Sequence, residues 1–158
     1  TKVLKGHIAV ATTNINKDNT GKKIDKRARK FLKKSNLDYA HGTGHGVGFF
    51  LNVHEGPQSI NKINKVKIEP GMVLSNEPGY YKENHFGIRI ENLVYVDKED
   101  GKLFFKNLTM APIEKDLINF NLLTMSEKNY LFKYHMDVYT KISKYLNQNE
   151  KKWLASLI

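Results

Sequence analysis

The spacing of apolar positions changes twice along the chain. In "KKIDKRARKFLKKS", Ile24, Ala28, Phe31 and Leu32 recur at i, i+4, i+7 and i+8, the stripe of an amphipathic helix packed on a core. A helical or otherwise regular segment precedes it over residues 2–13, and the polar stretch 14–21 reads as a turn between the two. From residue 41 to 110 the texture shifts to short apolar runs broken by Gly, Pro and Asn. There "GMVLSNEPGYY", "FGIRIENLVYV" and "KLFFKNLTM" are strand candidates, and the sheet they predict is antiparallel in part. Helical spacing then returns. "TMSE" offers a capping box, Thr124 with Glu127, ahead of Leu131, Tyr134, Val138, Ile142 and Tyr145, and "WLASLI" closes the chain as a short helix. Helices flanking a run of strands make an α+β domain.

Length and composition narrow the function classes. At 158 residues the chain has room for one real core, and no run of about 18 apolar residues predicts a membrane span. There are no cysteines, so disulfides, thiolate metal sites and a Cys nucleophile are excluded, and any metal must be held by His, Asp or Glu. The net charge of +10 comes from lysines scattered along the chain, with Arg27, Arg29 and Arg89 the only arginines. That dispersal argues against a nucleic-acid surface, and the most basic stretch, "NINKDNTGKKIDKRARK", reads as a solvated helix face behind a polar turn. No membrane partner is expected, and the cytoplasm is the default compartment.

The stretch "HGTGHGVGFFLNVHEGP" places His41, His45 and His54 on a glycine-rich backbone. His41 and His45 have the i, i+4 spacing of a helical zinc pair, but the glycines between and after them each cost a helix about 1 kcal/mol relative to Ala. Alternating glycine suits an irregular strand passing close to a neighbour, a ligand or a metal. In "FGIRIEN", Arg89 and Glu91 stand two apart on one strand and share a face, with Ile88 and Ile90 on the other. Glu77 ends an apolar run directly before Pro78 and so sits at a strand end. Each feature alone has an ordinary structural reading, such as a surface ion pair for Arg89 and Glu91. Together they favour an oxygen-rich metal site suited to Mn²⁺ or a similar ion.

These motifs, in this order and spacing, resemble the catalytic half of the aminopeptidase P family, the X-prolyl aminopeptidases among the pita-bread metallopeptidases. The likeness runs from "VLKGHIAV" and "LDYAHGTGHG" through "LTMAPI" to the tryptophan near the end. It implies a pita-bread fold, a curved antiparallel sheet with helices on its outer face, of which the C-terminal portion would be present. It also implies removal of the N-terminal residue from peptides with proline second, by a metal-bridged hydroxide. Carried over by motif, His45, Glu77 and Glu91 are metal ligands for two divalent ions, Mn²⁺ foremost, and Glu77 is also the general base. His41 and His54 face the substrate, and Arg89 positions the carboxylates. Prolidases and methionine aminopeptidases share the fold, and a non-catalytic pita-bread binding module is the alternative of a different class.

The family's site also uses two aspartates and a further histidine upstream of its counterpart to residues 2–13, and no aspartate here stands in such a context. The chain is therefore expected to be a C-terminal fragment of a longer enzyme, inactive alone and weak in binding metal. Glu77 and Glu91 are expected to face each other with uncompensated charge. Residues 1–113 are expected to belong to the catalytic domain. Residues 114–158 form a helical extension that is either a homodimer contact or a helix packed on its own core.

Overall fold

The computed structural model describes residues 1–50 and 52–158, which divide into two compact units, Lys2–Thr109 and Met110–Ile158 with Thr1. The first unit opens with α1, Lys2–Ala11, and α2, Gly21–Lys33, which pack on each other. Short strands follow: β1 Gly44–His45, β2 Ser59–Ile60, β3 Val73–Asn76, β4 Gly79–Lys82, β5 Phe86–Arg89, β6 Asn92–Glu99 and β7 Lys102–Asn107. Every ladder between them is antiparallel: β1 with β2, β4 with β5, and β6 between β3 and β7. A single bridge from Gly46 to Leu74 ties the β1 segment to β3.

Alternation fixes the register. Val94 and Val96 of β6 point inward, pairing with Leu74 and Phe105, while Leu93 and Tyr95 are only half-buried. The main cluster joins these four residues to Ile24 and Ala28 of α2, Val10 of α1, and Ile60. Phe31, placed on the same helical stripe, is only half-buried and lies beneath the Lys5 ammonium. A second cluster of Val3, Leu32 and Tyr39 receives Tyr80, Ile88 and Ile90.

"FGIRIENLVYV", expected as one strand, is two. β5 ends at Arg89, and Ile90 and Glu91 form the step to β6, which pairs with different neighbours. The two-residue periodicity nevertheless survives the step, because Ile88 and Ile90 remain on the second cluster.

In the second unit, Thr124 and Glu127 form the expected capping box of α3, Met125–Ile142, and α4 runs Gln148–Leu157 behind a second box, Asn147 with Glu150. Leu131, Tyr134 and Val138 are buried. Tyr145, expected on the same stripe, falls in a 3₁₀ turn, Ser143–Tyr145, and is exposed. The Tyr134 hydroxyl donates to Ala111 O, and the Ile113 amide donates to His135 Nε2. No helix among the described residues is long and apolar enough to cross a membrane.

Candidate metal centre and cleft

Three strand ends deliver three ligand-type side chains to one place. His45 ends β1, Glu77 follows β3 directly, and Glu91 stands in the step between β5 and β6. One ligand atom from each lies within 4.8 Å of the others, and no aspartate joins this group among the described residues. Pro78 stops β3 from continuing past Glu77. The glycines answer a steric demand: a Cβ on Gly44 would lie 2.0 Å from Ser75 O, and one on Gly46 1.9 Å from Glu55 O.

The donor chemistry fits a hard or borderline divalent cation. His45 Nδ1 lies 3.0 Å from the Gly46 carbonyl, so that Nε2, 3.3 Å from Glu77 Oε1, is the nitrogen it would offer to a cation. Ser75 holds both partners: its hydroxyl accepts the His45 amide at 2.9 Å and donates to Glu77 Oε1 at 3.0 Å. The Glu77 amide in turn donates to Thr43 O. Glu77 is 9% exposed, so its orientation is set by these bonds rather than by water.

Of the charge expected on the two glutamates, Arg89 offsets part, its Nη1 lying 3.7 Å from Glu77 Oε2. Its guanidinium is held further toward the charged form, first by its bond to Tyr81 and also by Glu77 and Glu91. Arg89 Nε donates to the Tyr81 hydroxyl at 2.8 Å, and that hydroxyl lies 2.9 Å from His41 Nε2. His41 Nδ1 faces Gly42 O at 2.6 Å. One proton arrangement satisfies the chain: Nδ1–H donates to Gly42, Tyr81 O–H donates to Nε2, and Tyr81 accepts from Arg89. His54 is exposed, with its ring 4.0 Å from that of His45, centroid to centroid. His41, His45, His54, Glu77 and Arg89 line one cleft of about 410 Å³.

The structure thus brings together all six residues singled out in the sequence. It adds Ser75 and Tyr81, which sequence reasoning missed. Both had a legible signal: Ser75 is two positions before Glu77 and Tyr81 two after Gly79, on the alternating faces of their strands. It also corrects the reading of α2 as a solvated basic face at one position, since the Arg29 side chain is only 2% exposed and is paired with Asp25.

Residues 1–98 match the model of metallopeptidase family M24, and residues 101–157 match the C-terminal region of peptidase_M24. The chain is 47% identical to "Probable Xaa-Pro aminopeptidase P" of Coprinopsis cinerea over 99% of its own length and 27% of that protein's. It is also 47% identical to an uncharacterized peptidase of Schizosaccharomyces pombe, covering 98% of the chain and 28% of the relative. Among solved structures, it superposes on X-prolyl aminopeptidase from Caenorhabditis elegans, described as a cytosolic enzyme with a di-nuclear active site. The TM-score is 0.90 with 38% identity, over 99% of this chain and 27% of that one. Prolidase from Pyrococcus furiosus matches with a TM-score of 0.60 and 30% identity, over 70% of this chain and 31% of that one. The chain spans little more than a quarter of the length of these relatives.

Proposed function

The chain belongs to metallopeptidase family M24, with the antiparallel sheets and helices of a partial pita-bread domain, and on that premise we propose that it serves an Xaa-Pro aminopeptidase. The observation that carries the proposal is the convergence of His45, Glu77 and Glu91 within 4.8 Å beside two further histidines. The names of the 47% identical Coprinopsis cinerea relative and of the 38% identical structure support the X-Pro specificity over that of a prolidase.

In this reading His45, Glu77 and Glu91 hold divalent metal, Mn²⁺ foremost, and a preceding segment of the full-length protein supplies the remaining ligands of a two-ion site. Bound there, the ions supply Lewis-acid activation of water and of the scissile carbonyl. Glu77 takes the proton of the attacking water on its carboxylate and returns it to the leaving proline nitrogen, with Ser75 fixing Oε1 throughout. Arg89 offsets the negative charge and orients Tyr81. His54, exposed on its loop, contacts the scissile carbonyl. An X-Pro bond offers no N–H on its leaving side, so recognition falls on ring contact. His41 and Tyr81, edge to face at 5.4 Å, provide aromatic surface for it.

A cytoplasmic homodimer completes the proposal. Met125, Phe132 and Met136 stand seven and four residues apart on α3, 71%, 68% and 43% exposed, and form an apolar stripe suited to a second copy. Phe132→Glu should shift the sedimentation of the full-length protein to that of a monomer.

The primary test is hydrolysis of Arg-Pro-Pro with added Mn²⁺ by the full-length natural protein and by its Glu77→Gln variant. Cleavage by the first and at least a thousandfold loss in the second support the reading. A metal-loaded wild type that leaves the peptide intact sinks it.

A further inference from the structure

We infer that Arg29, on α2 and outside the metal centre, positions His41 for the proposed X-Pro cleavage; the inference rests on that functional reading. Every nitrogen of its guanidinium is committed. Nε donates to both oxygens of Asp25 at 2.9 and 2.8 Å. Nη1 donates to Asp38 Oδ1 and to Tyr39 O, each at 2.7 Å, and Nη2 donates to His41 O at 2.6 Å. The Tyr39 ring lies over the group, with its centroid 3.9 Å from Cζ.

Burying a cation is costly, and Asp25 and Asp38 offset that cost. Neither carboxylate requires Arg29 to reach the backbone as well, yet two of its bonds go to carbonyls, at Tyr39 and His41, two positions apart. Asp25 extends the grip by accepting from the Thr43 hydroxyl at 2.7 Å, and Thr43 is also bonded to the Tyr39 hydroxyl. The segment 39–43 is therefore pinned to α2 by three hydrogen bonds, at Tyr39 O, His41 O and the Thr43 hydroxyl, and by the Tyr39 ring over the guanidinium.

His41 is consequently held from two sides. Its ring is tethered through Tyr81 to Arg89, and its carbonyl is tethered through Arg29 to α2. Backbone anchoring sets where the Cα stands, and the ring tether sets where Nε2 points, so loosening either moves the imidazole within the cleft. A lysine cannot replace the arginine, because one ammonium cannot serve Asp25, Tyr39 O and His41 O in the fixed fork that guanidinium offers. Arg29 reaches the cleft through the backbone and not by touching substrate, so its role is positional.

The test is a double-mutant cycle in the full-length enzyme: wild type, Arg29→Lys, His41→Ala and the double variant. Each is assayed on Arg-Pro-Pro with Mn²⁺, with melting temperature and bound metal measured alongside. Single-turnover assays with excess enzyme keep the residual activity of His41→Ala readable. In the wild-type background Arg29→Lys should lower kcat about 10- to 100-fold, with KM within threefold and bound metal unchanged. In the His41→Ala background the same change should cost less than twofold. Equal losses in both backgrounds, or no loss in either, overturn the inference. Should Arg29→Lys fail to fold, Asp38→Asn replaces it in the cycle. It removes the charge of one half-exposed partner of Nη1 while leaving an acceptor there and the Asp25 pair intact, and a smaller loss, again confined to the background with His41, is expected. A wild type that does not cleave the peptide sinks the functional reading, and the Arg29 role with it. An active wild type with equal losses sinks the Arg29 role alone.

Discussion

Tyr81 illustrates how much of the site depends on single atoms, since one oxygen joins Arg89 Nε to His41 Nε2. Tyr81→Phe removes that atom and keeps the ring. In the full-length enzyme it should lower kcat/KM about tenfold, equivalent to ~1.4 kcal/mol, with bound metal unchanged. A loss under twofold would show that the ring of His41 is oriented otherwise. His7 makes a second residue-scale argument. It is fully buried on α1, with Nδ1 3.2 Å from Ile90 O, and its own carbonyl accepts from Asn76 Nδ2. It therefore braces the residues directly before both Glu77 and Glu91, through the Asn76 side chain and the Ile90 carbonyl. Burial pushes its pKa down from 6.5 to about 4, against the opposing pull of its backbone bonds. Between those values the unfolded chain binds a proton that the folded chain does not. Stability is thus complete above pH 6.5 and falls as pH drops toward 4, by on the order of 3 kcal/mol at most. His135, also held low chiefly by burial, adds in the same direction. Urea unfolding across pH 4–7 should show this slope, and His7→Met should flatten it; an unchanged slope in the variant assigns the effect elsewhere. His45, Glu77 and Glu91 were legible in the sequence because their chemistry lies in short local motifs. Arg29 and His7 were not, because the carbonyls that Arg29 holds lie 10 and 12 residues on, the one that faces His7 lies 83 residues on, and a buried arginine on a lysine-rich helix has no local signature.

At the scale of elements, periodicity carried α2 and α3 because their apolar stripes face a core directly. It failed at "FGIRIENLVYV" because a step between strands keeps the same alternation as an unbroken strand. Whether the chain changes sheets at Ile90 is decided by pairing: β5 folds back on β4 in a local hairpin, whereas β6 pairs with the more distant β3, a choice the alternation itself does not encode. The glycine-rich stretch was read as a place of close approach, and the structure identifies what it approaches. A Cβ on Gly44 would overlap Ser75 O, on the strand that delivers both Ser75 and Glu77. Gly44→Ala should therefore push β1 from β3, destabilise the full-length protein by about 1–3 kcal/mol or more, and weaken metal binding with it. Gly56→Ala is the control in the same loop system. Nothing lies within 4 Å of the added methyl, and the change should stay within about 0.5 kcal/mol. Equal effects of the two substitutions would remove steric approach as the reason for the glycine.

For the molecule as a whole, the decisive quantity is how many ligands converge. Three donors, one imidazole and two carboxylates, come together among the described residues, whereas a two-ion centre that also polarises substrate needs more. The chain spans 27% of the length of the structurally similar enzyme described as di-nuclear. Its net charge of +10 does not substitute for ligands, because the lysines are dispersed and Arg89 is the cation that reaches the carboxylates. Arg89 itself resists metal entry in part, since Glu77 exchanges its attraction for that of the ion. Titration with Mn²⁺, followed by calorimetry and by the shift in melting temperature, should separate the two forms of the protein. The full-length form should take up two ions per chain and gain stability in proportion to the logarithm of free metal. The 158-residue chain should bind at most one, at least about 100-fold more weakly, a difference of ~2.7 kcal/mol. Glu91→Gln in the full-length form should lower the uptake and the thermal gain together, because that carboxylate faces both partners in the cluster. Tight binding of two ions by the short chain would mean that aspartates of this sequence complete the centre, and would overturn the assignment of the remaining ligands to a preceding segment.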